Sequence, residues 1–128
     1  MPRAEVTPLK IRTMRLDRKL ATCPKCGGDC KRANLAHRWL RELGLSQPVI
    51  LEVTYSKHWC PKCERKFDIP MDHLARPGCN FTNRVVNTAL DLIDKGKSID
   101  EAADVLEKRY LVHVPKTTIN DWVAVERG

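Results

Sequence analysis

No apolar run in the chain approaches the roughly 18 residues that would suggest a membrane-spanning helix. The first residues, Met1-Pro2-Arg3-Ala4-Glu5, lack the apolar segment of a secretory signal. Both absences point to a cytoplasmic protein, where thiols stay reduced and paired cysteines read as metal ligands rather than disulfides. There is no glycine-rich phosphate loop, and no serine or cysteine has an evident base beside it. The carboxylates fall mostly at solvent-facing helical positions, so no catalytic constellation emerges and the chain by itself is expected not to be an enzyme. What is present is a 128-residue chain, 42% hydrophobic and 30% charged, enough for one ordinary globular domain or two small ones.

The strongest motif is a repeated tetrapeptide, Cys23-Pro24-Lys25-Cys26 and Cys60-Pro61-Lys62-Cys63. Two residues between cysteines let both thiolates of a pair reach one ion from a single tight turn. Two such turns supply the four soft ligands that tetrahedral zinc prefers. Proline stiffens each turn at a fixed φ, and Gly27 and Gly28 follow where the backbone swings back past the ion and φ > 0 is in reach. Four protein ligands leave no position for water or substrate, so one structural Zn2+ is the expected cofactor. The 33 residues from Gly27 to Trp59 exceed the usual spacing of about 15–20, which an inserted hairpin or helix accommodates. Thiol–disulfide exchange is the competing chemistry, but two copies of the motif without a βαβ pattern argue against it.

Cys30 and Cys79, with His37, His58, His73 and His113, offer material for a second metal site. Their irregular spacings favour the plainer reading of small buried thiols. His58 precedes the second pair closely enough to hydrogen-bond a thiolate, although an exposed histidine is the simpler expectation.

The net charge of +7 is uneven. Residues 1–20 carry six basic and two acidic groups and residues 21–48 five and two, whereas residues 81–128 carry seven and eight. A basic N-terminal half suits a polyanion, most simply nucleic acid. Residues 1–20, with Arg12, Arg15, Arg18 and Lys19, read as a basic arm that orders on binding, in which Leu9, Ile11 and Leu16 admit a short strand. Residues 21–70 form the zinc ribbon. Within it, Asn34 to Gly44 fits helical spacing through Leu35, Trp39, Leu40 and Leu43, yet also alternates as a strand. Val49 to Trp59 is a strand with Val49, Leu51, Val53 and Tyr55 on one face, and Arg65 to Ile69 is a short return strand in which Phe67 plugs the apolar side of the metal site. Residues 71–80, with Pro77 and Gly78, read as a linker.

Residues 81–128 change character. Thr82 caps a helix whose apolar face is Val85, Val86, Ala89, Leu90, Leu92 and Ile93, stopped near Gly96. Ser98 with Glu101 three residues on is a capping box, opening a helix that buries Ile99, Ala102, Ala103 and Leu106. A connector from Arg109 to Val114 leads to Pro115, which starts a third helix with Ile119, Trp122 and Val123 inward. Three short helices of this kind describe a helix-turn-helix unit. Lys116, Thr117, Asn120, Asp121, Ala124 and Arg127 then face outward. Asn120 suits an adenine edge in the major groove, and Lys116 a phosphate near the helix start. The fold class is thus α+β, an antiparallel four-cysteine zinc ribbon followed by a three-helix domain.

The order of parts resembles the N-terminal region of prokaryotic insertion-sequence transposases, in which a zinc ribbon and a helix-turn-helix precede the catalytic domain. The residues that carry the resemblance are Cys23-Pro-Lys-Cys-Gly27, His37 to Leu45, Pro48 to Tyr55, Trp59 to Phe67, Thr82-Asn-Arg84, Ser98 to Leu106 and Thr117 to Trp122, within about residues 23–125. The resemblance implies a strand near residues 37–43 paired with residues 49–59. It implies recognition of double-stranded DNA at the terminal inverted repeats of an element, a geometry that admits a homodimer. It also implies an acidic catalytic triad in a domain downstream of Gly128. The alternatives are a free-standing transcriptional regulator built from the same parts and a zinc-ribbon adaptor that binds protein.

Overall fold

The structure, a computed structural model, describes residues 9–76 and 78–127, without the side chain of Arg127. Five strands, β1 (Lys10–Leu16), β2 (Leu20–Thr22), β3 (Asp29–Glu42), β4 (Val49–Cys60) and β5 (Arg65–Asp68), are followed by three helices, α1 (Asn83–Asp94), α2 (Ile99–Tyr110) and α3 (Lys116–Arg127). The frame is the long antiparallel β3–β4 hairpin, in register from Arg32 opposite His58 to Glu42 opposite Val49, with one irregularity between Arg32 and Asn34. Strand, not helix, therefore occupies residues 34–42, where the β-rich partner Val49–Cys60 offers a full ladder of backbone hydrogen bonds.

Strand order is β1-β4-β3-β2, and β5 pairs with the last residues of β4. Because β3 occupies one edge of β4, β1 and β5 share the other, β1 beside Val49–Tyr55 and β5 beside Lys57–Cys60. β1 runs parallel to β4, so the sheet is mixed rather than purely antiparallel. Much of the expected basic arm is accordingly built into the sheet. Lys10–Leu16 is a paired strand, and the Lys10 N–H donates to the Pro48 carbonyl at 2.9 Å. Residues 1–8 of the expected arm lie outside the described residues.

Cross-strand register sorts the side chains. Leu40, Leu51, Val53 and Tyr55 share one face and are buried under Ile69, Met71 and Ala75. The stretch expected as a linker is thus a strap packed on the sheet, because Met71 and Ala75 complete its apolar core. Arg38 fastens the strap further by donating to the carbonyls of Arg76 and Cys79. On the opposite face Ile11 and Trp39 stay about half exposed. Beyond Tyr55 burial changes sides, and Ser56, His58 and Cys60 become the covered residues.

The helices pack around Phe81, Val85, Val86, Ala89, Leu106, Ile119 and Trp122, with the Phe81 and Trp122 rings edge to face at 5.5 Å. The Ser98–Glu101 capping box forms as expected, with the Glu101 N–H donating to Ser98 Oγ at 3.1 Å and the Ser98 N–H to Glu101 Oε1 at 3.0 Å. Gly96 ends the α1 region at φ +98°, a conformation that costs glycine little. α2 runs to Tyr110, so the connector to α3 is shorter than expected. It begins at Leu111, in a left-handed conformation, and buries Val112 and Val114.

Sheet and helices meet at the end of β3. The Arg41 N–H donates to the Asn80 carbonyl and the Thr82 N–H to the Arg41 carbonyl, while the Gly44 N–H donates to the Tyr110 carbonyl at 2.7 Å. Thr82 occupies the N-cap position of α1, but its hydroxyl donates to Glu42 Oε1 at 2.8 Å instead of capping the helix. The expected cap is therefore an anchor between the two halves of the fold.

Candidate metal centre and candidate nucleic-acid face

Each Cys-Pro-Lys-Cys tetrapeptide sits at the turn of a hairpin, the first between β2 and β3, the second between β4 and β5. The start of β3 lies beside the end of β4 because those strands are antiparallel, which brings the two turns together across the intervening 33 residues. The long hairpin is therefore the insertion that the wide spacing called for.

The four Sγ atoms of Cys23, Cys26, Cys60 and Cys63 lie within 4.8 Å of one another. Cys23 and Cys63 are 3.8 Å apart and Cys26 and Cys60 3.5 Å. A tetrahedron with metal–sulfur bonds of about 2.3 Å has edges of about 3.8 Å, so the separations fit a four-thiolate ion with little rearrangement. The cluster can hold a metal ion such as zinc. Cys23 and Cys60 are buried, Cys26 and Cys63 half-buried, and Phe67 packs against the group as its expected apolar plug.

The turns also present N–H groups to sulfur. The Lys25 N–H donates to Cys23 Sγ at 3.4 Å and the Cys63 N–H to Cys60 Sγ at 3.3 Å. In the metal-free chain these backbone donors favour thiolate. Cys60 is lowered to about 6, first by the Cys63 N–H, and Cys23 is lowered by the N–H groups of Cys26 and Lys25. Burial pushes Cys63 up to about 12, and desolvation also raises Cys30, to about 11. Cys60 is thus readier to ligate, while Cys63 must release a proton when a cation arrives.

The two turns differ in one residue. Gly27 follows the first pair at φ +75°, and Glu64 follows the second at φ +53°. The same left-handed step closes both, and Glu64 takes it despite its Cβ.

Cys30, although buried beside the cluster, points its thiol to the Gly28 carbonyl at 3.5 Å. His37 Nδ1 pairs with Thr54 Oγ1, and the Cys79 thiol with the Phe81 carbonyl. Among the described residues the four cysteines form the single metal-ligating group, so the second site is not assembled. His58 is fully buried, not exposed, and it does not reach a thiolate. Its Nδ1–H donates to the Cys30 carbonyl at 3.0 Å, and Nε2 pairs with Ser56 Oγ at 2.9 Å, which in turn accepts the Arg18 N–H at 3.2 Å. The ring stacks on Phe67 with centroids 5.6 Å apart. His58 therefore supports the metal hairpins from behind. An alternation of apolar and polar residues gave no hint of it, because burial changes face just before this position.

The expected nucleic-acid residues are scattered. Arg12 and Arg15 project from opposite faces of β1, opposite Leu51 and Thr54 respectively. Arg15 and Arg32 both bind Asp17, and the Arg32 hydrogen bond leads the causes that lower the Asp17 carboxyl. Arg18 and Lys19 are exposed, their backbones tied to Ser56 and Arg32. On α3, Thr117, Asn120 and Asp121 are exposed, as expected of an outward face. Lys116 is ion-paired with Asp100 at 3.1 Å. Arg127 closes the helix, its side chain outside the described ones.

Fold and cluster together define an α+β protein with a mixed sheet, three helices and a cluster of four thiols that could hold a metal ion. In comparison with known proteins, the chain matches no family model, no curated protein and no solved structure. Among the described residues no helix is long and apolar enough to cross a membrane.

Proposed function

We propose that the chain is a zinc-stabilised, sequence-specific DNA-binding module, of the kind that recognises element ends in a transposase, with α3 as the reading helix. The observation that carries the reading is the closed four-sulfur cluster, which serves structure rather than chemistry, beside a three-helix unit with Thr117 and Asn120 exposed on its last helix. Four sulfurs in a tetrahedron suit zinc above harder cations. The α2–α3 pair would act as the helix-turn-helix, with Asn120 as the side chain suited to adenine. The resemblance of residues 23–125 to insertion-sequence transposases supports the same reading.

Lys116 is the weakest of the expected contacts. Asp100, Asp104 and Glu107 gather with it around one groove at the start of α3, and a phosphate there would meet carboxylates. Phosphate contacts are accordingly sought on the basic sheet.

One observation favours the adaptor reading. Ile11 and Trp39 stand exposed on the outer face of the sheet, with Leu35 beside them on β3, a surface that would suit a protein partner. Selection from random duplex DNA separates the two. An enriched sequence is expected for a DNA reader, and no enrichment leaves the adaptor.

A further inference from the structure

The basic side chains of the fold divide into those with an acidic partner and those without. Arg15, Arg32, Lys57, Arg76, Lys95, Lys108 and Lys116 each sit within ion-pair distance of a carboxylate. Lys10 and Arg12 are among the several described cations for which no carboxylate lies within ion-pair distance, and they lie two apart on β1 and so share one face. That face borders a groove of about 510 Å3 between the sheet and the helices.

Three cations from two elements meet around this groove, Lys10 and Arg12 from β1 and Arg84 from the first turn of α1. Tyr110, the last residue of α2, and Leu43 line it as well. Among the described residues none that lines it is acidic. The nearest tie of Arg84 to a carboxylate is a 3.8 Å approach to Glu42 Oε2, and the other oxygen of that carboxylate already accepts the Thr82 hydroxyl and the Leu43 N–H. Arg84 is 69% exposed, so this tie leaves most of its guanidinium free for another anion.

The groove is built, not incidental. Its wall turns at Gly44, whose N–H donates to the Tyr110 carbonyl, and a Cβ there would stand 2.2 Å from the Gln47 carbonyl oxygen. Three like charges placed around one groove repel one another, and an anion seated among them turns each repulsion into attraction. At the start of α3 the balance is reversed, since three carboxylates surround Lys116.

We propose that the groove bounded by Lys10, Arg12 and Arg84 seats backbone phosphates of duplex DNA. It rests on the DNA-binding reading and supplies sequence-independent contacts beside the reading helix. Phosphate contacts fix register on the duplex, while base edges are left to the reading helix. Each neutralised phosphate releases counterions and steepens the fall of affinity with salt by about 0.9 in log–log slope.

The test is the salt dependence of binding to a mixed-sequence duplex about three helical turns long. The triple variant Lys10→Gln, Arg12→Gln, Arg84→Gln is compared with a control of equal charge loss, Lys95→Gln, Lys97→Gln, Lys108→Gln. In the control, Lys95 and Lys108 pair with acids one turn away on exposed helix surface. The groove variant should lose about 2.7 units of slope, so that between about 50 and 200 mM salt it sheds about 40-fold less affinity than wild type. The control should keep the wild-type slope. Equal slopes in the two variants, or an unchanged slope in the groove variant, overturn the groove while leaving DNA binding in place. No binding by the wild-type protein overturns both. Should the triple variant not fold, Lys10→Gln and Arg12→Gln singly must each reduce the slope by about 0.9, and failure to do so is equally decisive.

Discussion

Replacing Glu42 with alanine should cost about 3 kcal/mol, because this carboxylate joins the sheet to the helices. Glu42 is only 6% exposed, and its Oε1 accepts both the Leu43 N–H and the Thr82 hydroxyl at 2.8 Å. Thr82 is itself 1% exposed, so its hydroxyl has no ready access to water once the carboxylate is gone. Leaving two buried donors unpaired costs about 1–3 kcal/mol each, and relief of the desolvation of the charge offsets part of the sum. The more distant Arg84, 3.8 Å away and largely exposed, adds little after solvent screening. A loss of about 3 kcal/mol is a large share of the roughly 5–15 kcal/mol that holds a domain together. The measurement is urea unfolding of the metal-loaded, reduced protein, followed by the fluorescence of Trp122, which is buried in the helical core. Thr82→Val completes a double-mutant cycle, and a coupling of about 1 kcal/mol or more is expected for groups in direct contact. A Glu42→Ala cost below about 1 kcal/mol, or no coupling to Thr82, would refute the idea that this contact fastens the two halves.

Three further outcomes test other parts of the structure. Purified protein should carry one zinc per chain, and chelation should melt the metal hairpins, since structural zinc contributes about 10–16 kcal/mol in small zinc modules; metal-free protein of full stability would contradict a structural role. Gly27→Ala should destabilise by about 1 kcal/mol, with no clash since nothing lies within 4 Å of the added Cβ, whereas Glu64→Gly should stabilise by a comparable amount, both read by denaturant midpoint. The Glu101 carboxyl is held below its ordinary 4.5, first by the Ser98 N–H, so its stabilising contribution is complete above pH 4.5 and is lost as pH falls through the lowered folded value. Glu101→Gln keeps the capping geometry without the titration, and the difference in stability between the two proteins should shrink as pH falls; a constant difference would remove the charge from the explanation.

Much of the metal centre was legible because ligand spacing is a local signal. The Cys-X-X-Cys turns, the left-handed Gly27, the β-branched run in β4 and the Ser98–Glu101 box each follow from residues close in sequence. The parts that were not legible depend on distant partners. A short strand was admitted within the expected arm, but β1 has cations in three of its seven positions and little burial, so its place along the free edge of β4 was not marked. The strap from Met71 to Asn80 carries turn residues, yet Met71 and Ala75 are buried because the sheet has a bare face for them to cover. Glu42 and His58 are polar residues in strands that a face-by-face reading leaves in water. Both are buried because hydrogen-bond partners, Thr82 for one and Cys30 with Ser56 for the other, arrive from elsewhere in the chain. The ion pair of Lys116 was hidden for the same reason, since Asp100 reaches it from the preceding helix.

The most direct test of α3 as a reader is the binding of Asn120→Ala to a duplex sequence selected by the wild-type protein. Asn120 is exposed on α3, so its truncation should leave the melting temperature unchanged. Affinity for the selected site should fall by about 1–3 kcal/mol, and preference at one adenine position should relax, while binding to unrelated duplex stays as it was. An Asn120→Ala protein with wild-type affinity and wild-type preference at every position would contradict α3 as the reading helix.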